Sequence, residues 1–185
     1  MILTTDQRGQ YEREGYVYPV PVLSAAEVAD LRARLEAVER AQGGKLQPQQ
    51  RSKSHLLFKW LDDLIRDPRI LDPIEELIGP NILCWNTLFW IKEAGSESFV
   101  SWHQDTRYWG LSSDKYRLAH ASGPNHAGDR RIGVSMHFMP AETQQEVGEW
   151  DSAALVRGED SHRAFHHTPV PARDFDPAAV AFHEK

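Results

Sequence analysis

The chain has 185 residues, of which 41% are hydrophobic and 26% charged, an ordinary balance for one globular domain with a buried core. Its net charge of −6, with no dominant Lys/Arg cluster, argues against a nucleic-acid footprint. The longest apolar stretch, NILCWNTLFWI, is far too short to cross a membrane.

At the start of the chain, ILTTDQRGQYEREG lacks the apolar core of a signal peptide, so a soluble, cytoplasmic protein is expected. GYVYPVPVL (15–23) reads as a short extended piece, confined to an edge by Pro19 and Pro21. Ser24-Ala-Ala-Glu27 is a capping box, and Val28, Leu31, Leu35 and Val38 continue it at helical spacing until Gly43-Gly44 ends the run. A polar loop (41–54) follows. A second helix is predicted over HLLFKWLDDLIR, stopped at Asp67-Pro68, and a third over RILDPIEELI, stopped at Gly79-Pro80.

From residue 81 the periodicity changes. NILCWNTLFWIK is apolar on both faces, as in a central strand, and after the turn EAGSES the segment FVSWHQD forms the next one. RIGVSMHFMP alternates cleanly. Ile132, Val134, Met136 and Phe138 share one face, while Arg131, Gly133, Ser135 and His137 share the other. Residues 1–80 are thus mainly helical and 81–185 mainly β, an α+β arrangement within one domain spanning 1–185. Cys84 is the only cysteine, which excludes a disulfide framework and a Cys-based zinc site.

Strand alternation puts His103 and Asp105 on one face with Phe99 and Ser101, side by side as two ligands of one metal would stand. On spacing alone, two polar residues of a half-exposed strand are the better explanation of the pair. His120, before a Gly-Pro turn, would complete a set of two histidines and one carboxylate, the facial triad of non-haem Fe(II) oxygenases. Arg131, eleven residues further on, offers a guanidinium fork suited to a carboxylate. Taken singly, His120 also reads as a turn histidine, and Arg130 or Arg131 as a solvated charge.

The segments GPNILCWNTLFWIKEAGSESFVSWHQDTRYWGL and HASGPNHAGDRRIGVSMHFMP resemble the phytanoyl-CoA dioxygenase family. The N-terminal helical segments are also similar to that family. The resemblance implies N-terminal helices on a double-stranded β-helix, the cupin-like jelly roll. It further implies Fe(II) held by His103, Asp105 and His120, with 2-oxoglutarate as cosubstrate and ascorbate as a candidate reductant. Arg131 would bind the far carboxylate of 2-oxoglutarate, assisted by Ser122, and Trp85 and Lys53 fall where family members line the cosubstrate pocket. A carboxylate at 105 favours hydroxylation over halogenation, and the implied partners are a small-molecule substrate and O₂.

One departure from the family stands out. Only TRYWGLSSDKYRLA, fourteen residues (106–119), separates Asp105 from His120, where family members have several strands. The interval holds one hairpin at most, so the barrel is expected to be incomplete, with the join near Tyr116-Arg117. Two other functions therefore stand beside the oxygenase. One is a non-catalytic remnant, and the other is a cupin-type metal protein that uses no 2-oxoglutarate. Trp102, Tyr108 and Trp109 are candidates for an aromatic wall beside the metal, and equally for core. His137 shares Arg131's face and reads as a satisfied strand histidine rather than a pocket residue. His126 sits in a turn with no specific role, and His162, His166 and His167 read as solvent-exposed.

Overall fold

The structure, a computed structural model, describes residues 2–104, 109–112 and 119–185. Four helices precede the strands: α1 (Thr5–Glu14), α2 (Ala25–Ala41), α3 (Lys59–Ile65) and α4 (Pro68–Ile78). Short 3₁₀ turns at Pro48–Arg51 and Ser54–Leu56 bridge α2 and α3. The capping box at α2 forms as the sequence predicts. Ser24 accepts from the Glu27 amide and the Glu27 carboxylate reaches back to the Ser24 amide at 2.8 Å. The second predicted helix divides, with a 3₁₀ turn over its first residues and α3 beginning only at Lys59. Asp67-Pro68 ends α3 and also starts α4, because the Asp67 side chain caps it and Pro68 needs no amide partner there.

Helix α1 was not legible from apolar periodicity, because it buries no residue. Its Thr4-to-Gln7 capping box was the available signal. Residues 15–23 form no strand; they cross as irregular chain with a cis Tyr18–Pro19 bond.

Six strands follow among the described residues: β1 (Ile82–Lys92), β2 (Val100–His103), β3 (His120–Ser122), β4 (Arg131–Pro140), β5 (Ser152–Arg157) and β6 (His166–His167). A final helix, α5 (Pro177–His183), closes the chain, capped by Asp176. The strands form two sheets, one ordered β4-β1-β5-β6 and a two-stranded ribbon of β2 and β3. The fold is a set of helices packed on an incomplete double-stranded β-helix. Strand β6 lies in a polar stretch that carries no strand period.

The alternation read in RIGVSMHFMP decides which face does what. Ile132 and Met136 pack with Leu35, Phe58, Trp60, Leu61 and Phe89 in the core between the helices and the sheet. Phe58 meets Phe89 edge-on at 6.0 Å, a favourable aromatic geometry. Two arginines fasten α2 to the turn before β4. Arg32 grips Asp129 at 2.6 and 2.8 Å, and Arg130 grips Glu39 at 2.6 and 3.1 Å. His55 is fully buried and bonded to Thr87, and burial pulls its imidazole down to about 3, so it stays neutral in the core.

Candidate metal and cosubstrate site

The second face of β4 carries the site. Arg131, Gly133, Ser135 and His137 look away from the helices into a pocket of about 470 Å³ between the large sheet and the β2–β3 ribbon. His103 and His120 line the same pocket from the ribbon, with Ser122 beside them.

The two histidines face each other across the ribbon, since His103 is the antiparallel partner of His120. Their ring centroids lie 4.2 Å apart, inclined by 55°. His103 Nδ1 is 2.8 Å from the Ser101 carbonyl. A carbonyl only accepts, so Nδ1 donates to it and Nε2 is the nitrogen left for a metal, the usual arrangement for a metal-ligating imidazole. Asp105 and Tyr108 lie outside the described residues, as does the join near Tyr116-Arg117. Among the described residues no group of three His, Cys, Asp or Glu forms. The donor set the structure does place, two imidazoles converging on one pocket, fits two legs of a facial triad.

Across the pocket, Arg131 Nη2 donates to Ser122 Oγ at 3.1 Å and to the Gly123 carbonyl at 2.7 Å. Arg131 and Ser122 are thus hydrogen-bonded to each other. Beside it stands a cation that the sequence reading missed. Lys92 is the last residue of β1 and the register partner of Arg131. Its ammonium donates to the carbonyls of Ser98, Ser122 and Gly123 at 2.9, 2.9 and 2.7 Å. Loss of hydration, and then the Arg131 charge, lower the Lys92 pKa from its ordinary value. The signal was alternation: Lys92 and Trp90 share a face with Arg131 and Gly133, but the apolar neighbours of β1 masked it.

Aromatic residues border the pocket, though neither Trp102 nor Trp109 is among them. Trp90 and Phe99 line it and are 53% and 70% exposed. The Trp90 indole is oriented by a 2.7 Å hydrogen bond from Nε1 to Ser135 Oγ. Trp102, 77% exposed, is not among the lining residues, and Trp109 packs against Trp85 and His137.

Lys53 and Trp85 lie together elsewhere. Both end on Asp151, another residue missed from sequence. Lys53 Nζ donates to Asp151 Oδ1 at 2.8 Å and to Ser152 O and Oγ at 2.7 and 2.8 Å. Trp85 Nε1 donates to Asp151 Oδ2 at 2.5 Å. Lys53 has a left-handed backbone, φ 47°, with its amide on Asn86 Oδ1. Trp85 stacks on His137 at 6.1 Å, so this cluster backs the wall to which His137 belongs. His126 approaches Glu97 at 3.7 Å, and His167 pairs with Asp160 at 2.8 Å, both away from the pocket. Cys84 is buried, and burial pushes its thiol up to about 12, so it is no nucleophile.

Paired histidines on a minor ribbon, an arginine on the facing strand and N-terminal helices behind define a chain built like a non-haem iron oxygenase. Residues 11–117 match the phytanoyl-CoA dioxygenase family, and the chain belongs to that family. Among solved structures, the apo form of ThoJ, described as a non-heme monooxygenase, is 28% identical. It superposes with a TM-score of 0.82, covering 95% of this chain and 93% of that one. CytC3 with Fe(II) and alpha-ketoglutarate is similar in fold at 19% identity and a TM-score of 0.73, covering 94% and 96% of the two chains. EctD from S. alaskensis with bound Fe follows at 14% identity and 0.67, covering 91% and 89%. No curated protein matches the sequence. Among the described residues no helix is long and apolar enough to cross a membrane.

Proposed function

We propose that this protein is an Fe(II)- and 2-oxoglutarate-dependent dioxygenase that hydroxylates a small organic substrate with release of succinate and CO₂. The observation that carries this reading is the pairing of His103 with His120 on one wall of the pocket that Arg131 enters from the other. His103, His120 and Asp105 would hold the metal. Ser122 presents Arg131, whose guanidinium receives the far carboxylate of the cosubstrate through charge-assisted hydrogen bonds. The bound iron and cosubstrate supply the oxidising chemistry, while the chain supplies position and shelter from water. Lys53 and Trp85 act from behind, bracing His137 through Trp85 and Asp151. Ascorbate would serve to keep the metal reduced.

The test is anaerobic addition of Fe(II) and 2-oxoglutarate, followed by succinate measurement in air with ascorbate. A charge-transfer band and succinate release are expected, and both should vanish in His103→Ala and His120→Ala. Full activity in either variant would sink the ligand assignment. The exposure of Trp90 and Phe99 at the pocket mouth favours a second reading, a remnant whose site no longer closes. A remnant would give neither band nor succinate.

A further inference from the structure

We propose that Lys92 is a positioning residue that docks the histidine-bearing ribbon onto the large sheet; this rests on the iron site proposed above. The ribbon consists of a four-residue strand and a three-residue strand, with a register irregularity between Val100 and His103. Two strands of that length do not hold a fixed shape in water unaided. The residues that matter most, His103 and His120, therefore sit on a ribbon that needs support from outside itself.

Lys92 answers that weakness at a single atom. An ammonium has three N–H donors, and Nζ spends each on a different carbonyl. Ser98 lies just before β2, whereas Ser122 ends β3 and Gly123 follows it. One side chain from the end of β1 thus ties the segment entering β2 to the end of β3, within two residues of His120. Arg131 shares the Gly123 carbonyl at 2.7 Å and adds Ser122 Oγ, so the clamp that sets the ribbon also sets the guanidinium. Asn125 fixes the Lys92 backbone itself. Its Nδ2 lies 3.1 Å from the Lys92 carbonyl, with the Glu93 and Asp129 carbonyls at 2.9 Å each. Other ties between this region and the large sheet, such as the Ser96–Asn125 bridge and Gly95 to Ala127, run between loops rather than from the strands.

The experiment compares wild type with Lys92→Met, which keeps the length of the side chain and removes the donors, and with Lys92→Arg, which restores donors. Co(II) and 2-oxoglutarate affinities are measured anaerobically by titration, and backbone hydrogen exchange is followed by mass spectrometry. In Lys92→Met we expect both affinities to fall at least tenfold. Exchange should accelerate at least tenfold in peptides over 98–104 and 119–123, with β1 and β5 still protected. Lys92→Arg should recover part of each. Affinities within twofold of wild type together with unchanged ribbon exchange would overturn the proposal, as would acceleration spread evenly over ribbon and core. If wild type binds no Co(II), the iron reading fails by itself, and the exchange pattern still decides the role of Lys92.

Discussion

Arg130 and Arg131 are adjacent, and strand alternation gives them opposite tasks that a pair of substitutions separates. Arg130 turns to the helices. It forms a double hydrogen bond with Glu39, and the pair retains only 15% and 10% side-chain exposure. Removing one partner of a fully buried pair costs about 3–5 kcal/mol, mostly because the other charge is left without compensation. The residual exposure here, and Glu39's third hydrogen bond, from the Leu46 amide, put Arg130→Met nearer about 2–3 kcal/mol. For a chain of this size that lowers Tm by roughly 4–12 °C. Arg131, by contrast, is exposed and donates only to a hydroxyl and a carbonyl, so Arg131→Met should leave Tm nearly unchanged. Its loss should appear in cosubstrate binding instead. Hydrogen bonds to a charged group contribute about 1.5–3 kcal/mol, or roughly 10- to 150-fold in 2-oxoglutarate affinity. Thermal unfolding by circular dichroism and anaerobic calorimetry with Co(II) read the two effects separately. If Arg130→Met weakened 2-oxoglutarate as much as Arg131→Met, or if Arg131→Met alone lowered Tm, the division of the two faces would be wrong.

Acid should destabilise the fold through its paired carboxylates. The Ser24 amide, and then Arg69, hold Glu27 down at about 2 against an ordinary 4.5. A lowered folded-state pKa gives stability that is complete above the unfolded value and lost as pH falls through the folded one. Tm should therefore decline between about pH 4.5 and 2, less steeply in Glu27→Gln; superimposable slopes would refute this. Gly158→Ala should be costly, because φ is +71° and a Cβ would stand 2.5 Å from the Pro80 carbonyl and clash with Asn81 Oδ1. The left-handed backbone alone costs about 1–2 kcal/mol, so a clear drop in urea midpoint is expected, and an unchanged midpoint would count against the geometry. Cys84 should ignore a disulfide exchange reagent in the native protein and react once urea unfolds it; prompt native labelling would contradict its burial.

Much of the architecture could be read directly. The α2 capping box, the β1 segment and the alternation of β4 are local signals, and each appears within a residue or two of its expected place. Helix α1 escaped because a helix that buries nothing leaves no apolar stripe, and β6 because two histidines in a polar stretch carry no strand period. Trp90 and Phe99 replaced Trp102 and Trp109 at the pocket because facing, rather than closeness in sequence to His103, determines which aromatic residues line it.

By itself the sequence determined the helix-then-strand order and the family, and it singled out His103, Asp105, His120, Ser122 and Arg131. The order follows from residue type, spacing and period, and the site set from the resemblance to the family, both of which are local in the chain. Tertiary structure alone decided what depends on side chains meeting across strands. It paired His103 with His120, gave Arg130 to the core and Arg131 to the pocket, and drew Lys53 and Trp85 together on Asp151. It also set the Lys92 ammonium on three carbonyls at one end of the ribbon, where the chain enters β2 and leaves β3. The reason is that a hydrogen bond between residues thirty or a hundred positions apart leaves no period in the sequence; it exists only once the sheet has set their distance.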